Sequence, residues 1–276
     1  MSLFNKNHYY FFLSSRPWPI TSSFGSFFLF ISIYIIFKRS ILTPLLLSLF
    51  IVMLVSYQWW RDLRSEYQHD GIRSVSLEIC LKNSMILFIC SEVLFFFSFF
   101  WSYFHFIFSD SIELGWHWSS CGILMFDYSN VPLLNTLILL TSGLTITMSH
   151  FYHLNNFYRL SVTYLFFTVL LGGLFTVLQY LEYKSSFFSM YDSSFGRVFY
   201  LLTGFHGLHV LIGSVFILVV SFRRTIFNLR DDSILSFDLC SWYWHFVDVV
   251  WLLLYFFLYY ISFLRFSIFS TSDFHS

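Results

Sequence analysis

Seven apolar runs dominate this chain, at residues 20–37, 41–57, 84–108, 131–150, 160–181, 198–221 and 243–263. A bilayer core roughly 30 Å thick takes about 20 helical residues, and each run approaches or exceeds that length. The first two are short and joined only by Lys38-Arg39-Ser40, which predicts an antiparallel hairpin. A polar segment, 58–83, separates that pair from the other five runs. The pattern predicts an all-α membrane protein with seven transmembrane helices. Its expected organisation is an N-terminal segment with helices one and two (1–60), a connecting segment (61–83), a five-helix bundle (84–264) and a C-terminal tail (265–276).

One residue inside the third run resists the apolar reading. Glu92 lies eight positions in from Ser84, so at about 1.5 Å per residue its carboxyl sits roughly 12 Å deep. An isolated carboxylate at that depth is costly, so Glu92 is expected to be neutral or paired and to face protein rather than lipid. Proton handling and the locking of helix packing both remain open as its role.

Composition supports the membrane class. The chain is 57% hydrophobic, 24% aromatic and only 11% charged, against about 25% charged in soluble domains. Lys plus Arg equals Asp plus Glu, so net charge gives no pointer to nucleic acid. Cys80, Cys90, Cys121 and Cys240 are scattered without metal-finger spacing and read as free thiols. Forty Phe, four Pro and no Ala point to an AT-biased genome, and no presequence is visible. Together these suggest an organelle-encoded product, with a bacterial plasma membrane as the alternative. Ten Lys and Arg fall on the N-terminal side of the spans and five on the other. The positive-inside rule then puts the N-terminus inside and the C-terminus outside, although Lys38 and Arg39 run against it.

Four more polar residues stand at membrane depth. His206 and His209 are three apart and share a broad helix face. His245 and Asp248 repeat that spacing on the seventh run. The histidine pair can be read as metal ligands or as hydrogen-bonding groups. No matching pair stands on a second helix, which favours hydrogen bonding and a chain without metal. Asp248 is read as a structural partner of His245 or of another helix end. Tyr57-Gln-Trp-Trp-Arg-Asp62 closes the second run with two interfacial rings and a cation, a combination suited to a phospholipid headgroup. Arg73 and Arg223 lie on the same side, and a topology signal alone would also supply such cations. A seven-span receptor is disfavoured because Cys121 is the only clear outer-loop cysteine, and a proton-coupled transporter because repeats and broken helices are missing.

Several ordered motifs on separate helices carry a family resemblance. Besides Tyr57 to Asp62, they are Met85-Ile-Leu-Phe-Ile-Cys-Ser-Glu-Val-Leu-Phe-Phe96, Val131-Pro-Leu-Leu-Asn-Thr136, Thr203-Gly-Phe-His-Gly-Leu-His-Val210 and Trp242-Tyr-Trp-His-Phe-Val-Asp-Val-Val-Trp251. The chain resembles subunit III of cytochrome c oxidase from Arg16 to Tyr260. The resemblance implies a subunit of the proton-pumping terminal oxidase of the mitochondrial inner membrane, with its N-terminus in the matrix and its C-terminus in the intermembrane space. It implies that this chain binds no haem or copper, which belong to partner subunits, and that subunit I is its main contact. It also implies a lipid-filled cleft, tightly bound phospholipid, and support of proton uptake and oxygen access. Glu92 matches the family's carbodiimide-reactive carboxyl. Lipid contacts carry over to Trp60 and Arg223, with Trp59, Arg61 and Arg73 as neighbouring candidates. His206, His209, His245 and Asp248 are expected in packing or proton-related roles. Two departures stand out: Gly71-Ile-Arg-Ser74 replaces the usual Gly-x-His-Thr, and serines follow Trp118 where paired prolines are usual.

Overall fold

The computed structural model describes residues 16–69, 75–108, 125–227 and 233–264. Among them are seven α-helices: α1 (Trp18–Arg39), α2 (Thr43–His69), α3 (Val75–Phe108), α4 (Val131–Leu154), α5 (Tyr158–Ser185), α6 (Ser194–Phe227) and α7 (Ser233–Leu254). A π-helical segment, Tyr255–Ile261, continues α7. All seven are long and apolar enough to cross a membrane, as the run lengths predict.

The helices outlast the apolar runs that announce them. The sequence reading ends the second span at residue 57 and treats 58–83 as a polar connection. The structure continues α2 to His69 and opens α3 at Val75. Gln, Arg, Leu and Glu are good helix formers, and outside hydrocarbon a helix has no need of apolar side chains. Hydropathy therefore finds the bilayer, not the helix ends.

The chain forms two compact units, Met1–Leu81 and Lys82–Ser276. In the first, α1 and α2 pack together. A Cβ added at Gly25 would lie 3.2 Å from Val52, so the two backbones approach closely there. Ser40 turns the chain in the left-handed region at φ 56° and bonds back to the Ile36 carbonyl. At the other end the indole N–H of Trp18 donates to Asp62 at 2.7 Å, which clasps the hairpin.

In the second unit α4 packs on α5, α5 on α6, and both α4 and α6 on α7. Its centre is Trp244, which is fully buried. A Cβ at Gly172 on α5 would come within 2.8 Å of that indole, and one at Gly213 on α6 within 3.0 Å. Its N–H donates to the Ser142 hydroxyl on α4 at 2.9 Å. One side chain of α7 is thus gripped by three helices, and the two glycines make the room. Trp251, Phe175, Phe199 and Phe237 extend the aromatic core above and below it. The α3 helix joins through rings: Phe95 meets Phe205 edge-on at 5.0 Å, and Phe104 meets Phe257 at 5.0 Å.

Local chemistry sets the helix ends. Pro132 occupies the first turn of α4, where its missing N–H costs nothing. Just before it, Asp127 accepts from the Ser129 backbone N–H at 3.0 Å, the Ser129 hydroxyl at 2.7 Å and the Asn130 side chain at 2.9 Å. The Ser129 N–H, then its hydroxyl, hold this carboxyl below the usual carboxylate range. At the far end, Asn156 adopts φ 62° and lets α5 return directly beside α4.

Candidate functional site

Glu92 points from α3 to α6. Its Oε2 lies 3.0 Å from Nε2 of His209, with side-chain exposures of 22% and 10%. The other ring nitrogen, Nδ1, donates to the Phe205 carbonyl at 2.7 Å, one turn back on α6. A backbone carbonyl can only accept, so that N–H is committed. Nε2 then brings no proton of its own to Glu92 unless the ring is cationic. A hydrogen bond across this contact therefore requires one shared proton, as acid facing neutral imidazole or as carboxylate facing imidazolium. Both arrangements have zero net charge, which makes the pair tolerable at membrane depth. Phe95, Phe96, Tyr243 and Phe246 wall it with aromatic rings.

The structure separates the two histidines that share spacing. His206 turns away from Glu92 into the core, where its ring lies 5.1 Å from that of Trp251 and 5.5 Å from that of Phe175. It is fully buried, and neither ring nitrogen closes a hydrogen bond among the described residues. His245 and Asp248 come within 3.9 Å, an ion-pair distance rather than a hydrogen bond. Asp248 is accommodated because α4 presents Gly143, where a Cβ would sit 2.7 Å from the carboxyl oxygen. Among the described residues no three His, Cys, Asp or Glu side chains are grouped to hold one metal ion.

The headgroup candidates are less uniform than their sequence suggests. Trp60 is 69% exposed on α2, whereas Trp59 is half-buried. Arg61 is exposed and lies 3.2 Å from Asp62, the same carboxylate that takes the Trp18 N–H. Arg73 lies outside the described residues, as do the 113–123 loop and the 265–276 tail. Arg223 is half-buried.

Its neighbour Arg224, which the sequence reads with Arg223 as part of an inner basic rim for anionic phospholipid, is instead buried in the bundle. It is 4% exposed, and its guanidinium donates to Ser161 Oγ at 2.8 Å and to His153 Nδ1. The rings of Tyr158 and Phe237 flank it at 5.9 and 5.7 Å. Ser161 and Ser149 exchange hydroxyl-to-carbonyl bonds at 2.9 and 2.7 Å, which draws α4 and α5 together beneath the cation. Nearby, Asp238 on α7 accepts from His150 on α4 at 3.0 Å and faces Lys82 on α3 at 3.8 Å. A second missed acid, Glu182, is 2% exposed near the end of α5.

Comparisons with known proteins agree on one family. Residues 8–263 match the family described as Cytochrome c oxidase subunit III. The chain is 43% identical over 251 residues to cytochrome c oxidase subunit 3 of Drosophila yakuba, covering 91% of this chain and 96% of that protein. It is 42% identical over 239 residues to the Heterololigo bleekeri protein of the same name, covering 87% and 92%. The Latimeria chalumnae subunit 3 is 41% identical over 248 residues, covering 90% and 95%. With the Glu92-bearing helix and all of the seven spans but Leu264 inside the matched region, this chain belongs to the cytochrome c oxidase subunit III family.

Proposed function

We propose that this chain is a redox-inactive subunit of a proton-pumping cytochrome c oxidase in the mitochondrial inner membrane, packed mainly on subunit I. Haem and copper reside in the partner subunits, where oxygen is reduced to water. The N-terminus faces the matrix and the C-terminus the intermembrane space. The ten-to-five distribution of Lys and Arg supports this orientation. Protease that reached residues 1–15 from the outer side of sealed vesicles would reverse it. The observation that carries the functional reading is the Glu92–His209 contact at 3.0 Å. A carboxyl and an imidazole in contact on two apolar spans support a proton-related or helix-tying role for this pair.

Glu92→Gln tests which use the pair serves. The amide keeps the size of the acid and can donate to Nε2, so assembly and electron transfer should persist. A role in proton supply predicts a changed proton-to-electron ratio or a shifted pH profile of turnover. Unchanged values of both would leave only the tie between α3 and α6.

In this reading Trp60 and Arg223 each contact phospholipid headgroups, with Trp59, Arg61 and Arg73 as further candidates. An exposed indole beside cations suits an anionic headgroup. Arg223→Ala should leave the complex assembled, lower its tightly bound lipid and shorten its active lifetime. Lipid content and lifetime equal to the parent would reduce Arg223 to a topology signal.

A further inference from the structure

At the end of the second unit where α4 and α6 begin and α5 ends, a set of oxygens lacks partners. Glu182 on α5 is 2% exposed, and neither carboxyl oxygen closes a hydrogen bond. Asn135 on α4 is fully buried, and its Oδ1 is likewise without a donor. Gln179, one turn before Glu182, links the two sides: it accepts from Asn135 Nδ2 at 3.5 Å and donates to the Tyr259 hydroxyl at 3.5 Å. Tyr259 is the polar group that bears most directly on the Glu182 carboxyl, although no bond within 3.5 Å joins them. The remaining neighbours are already engaged, with the Tyr183 hydroxyl donating to Thr203 at 2.6 Å and Tyr200 bonded to Ser186 at 2.7 Å.

The unsatisfied atoms here are all acceptors. Among the described residues only the Tyr259 hydroxyl has a proton to offer them, one donor cannot satisfy three oxygens, and leaving such groups buried and bare is costly. The missing species is therefore a donor or a cation. A single carboxylate fixes its charge at one, because a divalent ion would leave an uncompensated positive charge in the bilayer. An open cleft of ≈ 400 Å³ borders Glu182, lined also by Val131, Leu178, Leu181, Lys184 and Ser185. Backbone geometry adds an independent sign. Tyr259 projects from the π-helical segment, a form concentrated at functional sites.

We propose that Glu182, Asn135, Gln179 and Tyr259 form an internal site for one positive charge, taken either as an alkali-metal ion or as a proton with a water. The site lies apart from the Glu92–His209 pair and stands whether or not that pair handles protons. Lys184 shares the cleft but makes no ion pair with Glu182 among the described residues.

The test is an infrared difference spectrum of the intact purified oxidase, parent minus Glu182→Gln. It is recorded in sodium, potassium and choline chloride and over a pH series in choline alone. A carboxylate band that shifts with sodium or potassium identifies an ion. A carboxylic-acid band that varies with pH and moves in D2O identifies a proton. A Glu182 signal that is the same in every medium overturns the site. Asn135→Leu provides a second variant and should weaken the ion or proton response about tenfold, as expected for one lost oxygen partner. Lys184→Met should leave the response in place; its disappearance would show that Lys184 supplies the charge and would also overturn the proposal.

Discussion

Trp244→Ala should lower the stability of the chain within its complex by about 3 kcal/mol or more, the low end of what emptying a buried tryptophan costs. In a membrane the loss is mainly packing, because lipid is as apolar as the indole it replaces. Trp244 has much packing to lose, since it fills the space opened by Gly172 and Gly213 and bonds to Ser142. The substitution therefore loosens α4, α5 and α6 from α7 together. The converse change, Gly172→Ala, pushes a methyl to 2.8 Å from the ring and should cost about 1–3 kcal/mol by overpacking. Thermal dissociation of the subunit from the purified complex reads both. A Trp244→Ala complex that dissociates at the parent temperature would show that the clamp is not what holds the bundle.

The Arg224 cluster gives the second large effect, with an ordering that distinguishes charge from packing. Removing both acceptors, as His153→Leu with Ser161→Val, strands a cation that is 4% exposed, and stranding a buried charge costs about 3–5 kcal/mol. Removing the cation itself, as Arg224→Met, keeps volume and leaves neutral groups, of which Ser161 retains its Ser149 bonds. The double variant should therefore dissociate at a clearly lower temperature than Arg224→Met. The reverse order would mean that Arg224 contributes a contact the neutral groups cannot replace.

The sequence announces what the membrane penalises. Seven apolar runs give the spans because hydrocarbon excludes almost every other residue type, and Glu92 stands out for the same reason. Partners are harder to read. An i, i+3 spacing separates side chains by about 60° around a helix, since each residue turns about 100°. That suffices to send His209 to Glu92 and His206 to Trp251. The Arg223–Arg224 pair shows the limit more sharply. Both read as basic loop residues following a span that ends at 221, yet α6 runs on to Phe227 and rotates only Arg224 into the bundle. Glu182 is hidden from the sequence by one position: a span closed at residue 181 leaves it looking like an end-of-helix acid. Its spacing from Gln179 was the available sign, and burial by α4 and the π segment is a tertiary fact that no local pattern carries.

The π-helical segment Tyr255–Ile261 bears on how this chain lines up with its relatives. Its bonds span five residues where an α-helix spans four, so the stretch carries surplus chain for the length it covers. Tyr103 stabilises that surplus by donating to the Phe257 carbonyl at 2.6 Å while bonding to Ser262 at 2.7 Å. A homologue one residue shorter here could close the bulge into ordinary α-turns without disturbing Trp244, Asp248 or Trp251 upstream. An alignment would record only a gap, yet the tyrosine at position 259 would swing about 100° around the axis. Matching residue letters across that gap would then pair side chains that face different neighbours.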